Sequence, residues 1–235
     1  MPLPPPWTDR LDALAAEHAL PPSAPARLRA LLELVRDDTT APTTVTDPAQ
    51  GVDAHVADSL DGLRAEVVRA AGSIADLGAG AGFPGLPLAI ARPDARVHLV
   101  ESLSRKCAFL ERAVEAAQAP NAAVACARAE EWPERDLDVV IARAVAPLAV
   151  LVEYAAPLLR VGGSFVAWKG RRDDDEERGG SEAAAMLGLE PGEILRLPPR
   201  EGAEHRHLHL YLKVGPTPGR FPRRAGMARK RPLSG

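Results

Sequence analysis

Apolar and polar positions along the chain change period several times, and each change marks an element. Between residues 8 and 36, Leu11, Leu14 and Ala15 share one face; beyond Pro21, Pro22 and Pro25, Leu28, Leu31, Leu32 and Val35 share another. Spacings of three and four predict two amphipathic helices, split by prolines that a helix interior would not tolerate. Residues 37–51 are rich in Thr, Asp, Pro and Gly and predict a loop. A further helix is expected from Val52, carrying His55, Asp58, Ser59, Leu60 and Leu63 and continuing through Val67 and Val68 to Gly72.

Beyond Gly72 short apolar runs alternate with helical stripes. Ile74 to Leu77, Arg96 to Val100, Ala122 to Ala127, Leu137 to Ile141 and Gly163 to Trp168 predict five strands. Leu86 to Ala91, Arg105 to Gln118 and Pro147 to Leu159 predict helices between them, with Ser102 or Ser104 able to cap the second. This β-α-β order argues for an α/β, doubly wound, mostly parallel sheet of the Rossmann-like kind. Residues 170–180, GRRDDDEERGG, mix both charges and predict a surface loop before a short helix at 181–187. Glu193 to Leu197 and Arg206 to Val214, joined by a turn at Pro198 to Ala203, predict a late antiparallel hairpin on the sheet edge. In its last strand Leu208, Leu210, Leu212 and Val214 alternate with His207, His209, Tyr211 and Lys213, so the leucine side is expected to be buried. The pattern divides the chain into a helical extension (1–71), an α/β domain (72–215) and a tail (216–235).

Composition adds two constraints. Aromatics are 4% of 235 residues against 46% hydrophobic in all, so Ala and Leu must fill most of the core. The net charge of −3 hides an asymmetry: residues 216–235 hold Arg220, Arg223, Arg224, Arg229, Lys230 and Arg231 and no acid. A basic tail on an acidic body is a pattern of nucleic-acid contact. Cys107 and Cys126 have neither CxxC nor metal-ligand spacing and are expected to be reduced and structural. His205, His207 and His209 alternate along a strand without an acid or cysteine at ligand spacing, so no metal is expected. MPLPPPWTD lacks a signal pattern, and no apolar run reaches the roughly 18 residues of a membrane span; a cytoplasmic, monomeric protein is expected.

The candidate chemistry lies between the first strand and the helix that follows. Asp76 ends an apolar run, glycines follow at 78, 80, 82 and 85, and Pro84 suits the start of a helix. Glycines serve where the backbone takes positive φ or where a ligand approaches it, so this is read as a nucleotide-type cofactor loop. Gly80-Ala81-Gly82-Phe83-Pro84-Gly85 satisfies GxGxxG, and Glu101 follows at the end of the second strand, so a dinucleotide remains open. Asp76 favours S-adenosylmethionine, because an acid there would meet a cationic amino-acid arm and would repel a pyrophosphate. The late hairpin favours it too.

Residues 76–114, DLGAGAGFPGLPLAIARPDARVHLVESLSRKCAFLERAV, resemble the family of the bacterial glucose-inhibited division protein B, the small-subunit ribosomal RNA methyltransferase G. The likeness extends to HVADSL (55–60), AEE (129–131), IARA (141–144), VGG (161–163), WKG (168–170), HRHL (205–208) and the FPRRAG ending (221–226). It implies a class I S-adenosylmethionine-dependent methyltransferase that modifies N7 of one guanine in small-subunit (16S) ribosomal RNA, free or within a ribosomal subunit or assembly intermediate. By resemblance the cofactor contacts fall on Gly78, Phe83, Glu101, Ser102, Leu103, Ala129, Glu130 and Arg143; the loop reading adds Asp76, Gly80 and Gly82. N7 carries a free lone pair and no proton, so no general base is required, and orientation alone can supply about 7–11 kcal/mol at best. Asp58, Arg143 and Lys169 are candidates beside the reacting groups, with Glu130 a further acid able to face developing positive charge. Arg105, Lys106, Lys169, Arg223, Arg224, Lys230 and Arg231 are candidates for RNA phosphate. A methyltransferase acting on another RNA or a small molecule, and an NAD-dependent oxidoreductase, are the alternatives.

Overall fold

The computed structural model describes residues 7–143, 145–200 and 204–233. Helices α1 (Trp7–Glu17) and α2 (Ala24–Asp37) stand on either side of the proline-rich break and bury the expected leucines. The helix expected from Val52 to Gly72 is instead a chain of short turns. After α3 (Pro48–Gly51) the backbone widens to a π-helical turn over Val52–Ala57, continues as α4 (Asp58–Leu60), tightens to a 3₁₀ turn over Asp61–Arg64, and ends in α5 (Glu66–Ala70). Gly62 lies in this run because the Trp168 ring presses on it; a Cβ there would stand 2.5 Å from the indole.

The sheet has seven strands in the order β3-β2-β1-β4-β5-β7-β6. β1 (Ser73–Leu77), β2 (Arg96–Glu101), β3 (Ala122–Cys126), β4 (Leu137–Arg143) and β5 (Leu159–Lys169) are parallel, as the alternation predicts. β6 (Leu189–Arg196) and β7 (His207–Lys213) complete it antiparallel, with β7 inserted between β5 and β6. Residues 201–203 of the expected hairpin turn lie outside the described residues. Ile74, Val139, Ile141, Val166 and Trp168 face one layer, shared with the N-terminal helices and α6 (Gly85–Ala91). Ala75, Leu77, Val140, Ala142 and Phe165 face the other, under α8 (Leu148–Ala155) and α9 (Asp174–Met186). Two-sided burial explains why the parallel strands read as continuous apolar runs.

Four further expectations need correction. Residues 170–180 are a loop only to Asp173, whose carboxylate caps α9 by accepting from Asp175 N–H and Glu176 N–H, both at 3.0 Å. The acidic run that suggested a loop occupies the first turn of α9, where the helix dipole favours acids. Ser102 and Ser104 do not cap α7 (Ser104–Ala116), whose N-cap position is Leu103. Along β7 the burial is the reverse of the leucine pattern at its far end: Leu212 and Val214 are exposed, while His209, Tyr211 and Lys213 are buried. That face of β7 lies under α9, where Gly180 lets the helix come close to the Tyr211 hydroxyl. Finally, Cys107 and Cys126 are not separate thiols; they form a disulfide between α7 and β3, with Cα atoms 5.7 Å apart.

Candidate active site

At the carboxyl ends of β1, β2 and β4 the strand order reverses, the position where open α/β sheets bind ligands. A cavity of about 480 Å³ opens there. Gly78, which opens the glycine loop, lies in its floor. Gly78 N–H and Ala79 N–H both donate to Val100 O, at 2.8 and 3.1 Å, which folds the chain sharply back after β1. Gly78 and Gly80 take φ of 72° and 58°, and a Cβ on Gly78 would lie 2.8 Å from the Val145 side chain. Substitution there would strain the turn and fill the floor.

Glu101 ends β2 and turns its carboxylate toward the cavity while remaining 5% exposed. Ser102 N–H and Leu103 N–H donate to its Oε1 at 2.7 and 3.0 Å; Gly80 N–H reaches Oε2 at 3.3 Å and Lys106 Nζ stands 3.7 Å from it. One oxygen is thus fixed by the backbone and the other has lone pairs left to accept from a diol. Ala129 and Glu130 form the wall beyond β3, and Glu130 Oε1 accepts from Gly226 N–H at 2.8 Å.

Arg143, at the end of β4, is held from behind. Its Nη1 donates to Asp58 Oδ2 at 2.6 Å and to Ala54 O at 3.3 Å, and its guanidinium lies 5.9 Å from the centre of the Phe83 ring. Phe83 also stacks on His55, with ring centroids 4.4 Å apart. His55 Nε2 lies 3.0 Å from Val45 O, and burial followed by the Arg143 charge holds the imidazole below its ordinary pKa. Asp58 Oδ1 accepts from Arg206 Nε at 3.0 Å, so this carboxylate, 1% exposed, serves two arginines.

Of the residues expected to meet the cofactor, Gly78, Glu101, Ser102, Leu103, Ala129, Glu130 and Arg143 line the cavity, and Asp76, Gly80, Gly82 and Phe83 do not. Asp76 is buried and instead holds the start of the helix after the loop. Its Oδ2 accepts from Gly85 N–H at 2.8 Å at the start of α6. Burial pushes this carboxyl up to about 7, against the downward pulls of Gly85 N–H and Arg143. A Cβ on Gly85 would lie 2.8 Å from the same oxygen, so the contact depends on glycine.

Among the other candidates, Asp58 sits behind Arg143, and Lys169 Nζ is taken up by Glu176, whose Oε1 also accepts Leu148 N–H at 3.0 Å. Lys106 is on the cavity wall, and Arg105, Arg224, Lys230 and Arg231 are exposed. Arg223 is bound to the Glu153 carboxylate by Nε at 2.8 Å and by Nη2. The sequence reading missed Arg128, Val145, Tyr154, Gly226 and Arg229, all on the wall. Phe221 and Leu233 within the basic tail were the signal that it packs against the body.

A 3-2-1-4-5-7-6 sheet with a glycine loop and an acid at the ends of β1 and β2 defines a methyltransferase that uses S-adenosylmethionine. Solved structures share the fold: an S-adenosylmethionine-dependent O-methyltransferase from Thermotoga maritima superposes with a TM-score of 0.53 at 16% identity, over 67% of this chain and 66% of that one. The antibiotic-resistance methyltransferase Kmr gives 0.52 at 18%, over 65% and 92%. Residues 31–208 match the family described as rRNA small subunit methyltransferase G, and the chain belongs to that family. Proteins named ribosomal RNA small subunit methyltransferase G from Rubrobacter xylanophilus and Roseiflexus castenholzii are 46% and 42% identical to it. These alignments cover 77% and 81% of this chain, and 72% and 83% of theirs.

Proposed function

We propose that this protein transfers the methyl group of S-adenosylmethionine to N7 of one guanine in small-subunit ribosomal RNA. Family membership carries the substrate, and the cavity carries the donor. Glu101 Oε2, turned to the cavity beside Gly80 and Lys106, fits the ribose hydroxyls of an adenosine. When bound, the donor supplies an electrophilic methyl on a sulfonium. The chain's own residues position it: Gly78, Glu101, Ser102, Leu103, Ala129 and Glu130 hold it, and Asp76, Gly80, Gly82 and Phe83 shape the loop beneath. Arg143, fixed by Asp58, orders the mouth between cofactor and base. No proton has to leave N7, so no side chain acts as a base; the gain is in alignment.

The three segments take different parts in this reading. Residues 72–215 carry the chemistry; of the described residues, 7–71 cover one face of the sheet and 216–233 close the rim. Arg105, Lys106, Arg224, Lys230 and Arg231 meet RNA phosphate, where they fix orientation and leave sequence to other contacts. The protein works in the cytoplasm as a monomer on small-subunit ribosomal RNA, free or within a ribosomal particle; among the described residues no helix is long and apolar enough to cross a membrane.

Deleting the gene and mapping 7-methylguanine in total ribosomal RNA tests the reaction. Loss of one site in the small-subunit RNA is expected, and persistence of every site contradicts it.

A further inference from the structure

The basic tail does not stand free of the body. Arg223 grips Glu153 of α8, an acid 1% exposed, and donates through Nη2 to Arg231 O at 2.8 Å. Ala228 is buried, and Phe221 and Leu233 pack against the α8–α9 layer. Between these anchors the chain turns at Gly226, with φ of 80°, and α10 (Met227–Lys230) brings Gly226 and Arg229 onto the wall of the cavity. Gly226 N–H is bonded to Glu130 Oε1, and Arg229 Nη2 donates to Val145 O at 3.1 Å. Val145 is the side chain that abuts Gly78 on the floor.

We infer that the tail is a fixed wall of the methyl-donor site and that Arg229 is a donor-contact residue. The inference rests on the donor reading above. Arg229 spends N–H groups on Val145 O and on a hydrogen bond to Tyr154, and the remaining donors of its fork are left for the cavity. A guanidinium there suits both halves of the ligand: its plane can lie on a purine, and its N–H groups can meet a carboxylate. Tyr154 lines the same wall; its hydroxyl is hydrogen-bonded with Arg229 and feels the charges of both Glu130 and Arg229. Arg229 is itself exposed at the cavity rim, as are Arg224, Lys230 and Arg231 on the same short segment, so the guanidinium that lines the cavity can be reached from solvent.

Calorimetric titration of the full chain with S-adenosylhomocysteine tests this. Arg229→Gln is expected to weaken binding about tenfold, the loss for a hydrogen bond to a charged group. Arg220→Gln, an exposed change in the same tail away from the cavity, is expected to bind within about twofold of wild type, since it removes no such contact. An unchanged Kd in Arg229→Gln overturns the inference, and so does an equal loss in both variants, which would reduce it to overall charge. If thermal melting shows that Arg229→Gln has lost its fold, Arg229→Lys takes its place: it keeps the charge, loses the fork and should still bind several-fold more weakly. Failure of the wild-type protein itself to bind overturns the donor reading on which the inference stands.

Discussion

The Asp58 carboxylate stands 2.6 Å from Arg143 Nη1 with its other oxygen 3.0 Å from Arg206 Nε, so one buried acid joins the end of β4 to the start of β7. Its own backbone carbonyl accepts from Trp168 Nε1 at 2.9 Å. Truncation to Asp58→Ala leaves Arg143 without its anion in a site where Arg143 is 13% exposed. Breaking a buried pair from one side costs about 3–5 kcal/mol. Urea unfolding should show a loss of that order, and S-adenosylhomocysteine binding should weaken as Arg143 loses its fixed position.

Asp76 gives a pH dependence of defined sign. Its carboxyl is raised to about 7 by burial, against about 3.9 in an unfolded chain. Between those values the folded state keeps a proton that the unfolded state has lost, so this group's contribution is greatest at low pH and declines as pH rises to 7. The span corresponds to on the order of 4 kcal/mol. Asp76→Asn keeps an oxygen for Gly85 N–H and removes the titration. Its stability relative to wild type, from urea midpoints, should rise from pH 5 to pH 7 and level off above.

Lys213 points under α9, where Nζ donates to Leu187 O at 2.7 Å and also contacts the Thr217 hydroxyl. Burial lowers its pKa to about 8. Below that value the folded chain must hold a desolvated ammonium, and stability recovers as pH rises from about 8 toward the unfolded value of about 10.4. Leu187 O keeps a second donor in Thr217 Oγ1, at 3.1 Å. Lys213→Met is therefore expected to raise the melting temperature at pH 7, with the gain shrinking toward pH 10.

The parallel strands and the first two helices were legible because each is a local apolar pattern. Glu101 was legible from its place at the end of β2, and the glycine loop from its spacing. What the sequence did not disclose depends on distant partners. Leu212 is exposed and Tyr211 buried because α9 covers one face of β7, and the charges that open α9 look like a loop until Asp173 is seen to cap it. Asp76 looked like a ligand contact; that its partner is Gly85 N–H follows only from the position of α6 over β1. The tail's charges suggested RNA, while its seating on Glu153 and Glu130 depends on acids about 70 to 100 residues earlier in the chain, where the pairs Arg223 with Glu153 and Gly226 with Glu130 are separated by 70 and 96.

Methyl transfer to guanine N7 in the small-subunit RNA can be measured directly. Purified protein should be incubated with methyl-labelled S-adenosylmethionine and with small subunits, or their RNA, from a strain lacking the gene. Label at N7 of a single guanine in that RNA is expected. Donor binding without label in either substrate, or label at another atom, would contradict it.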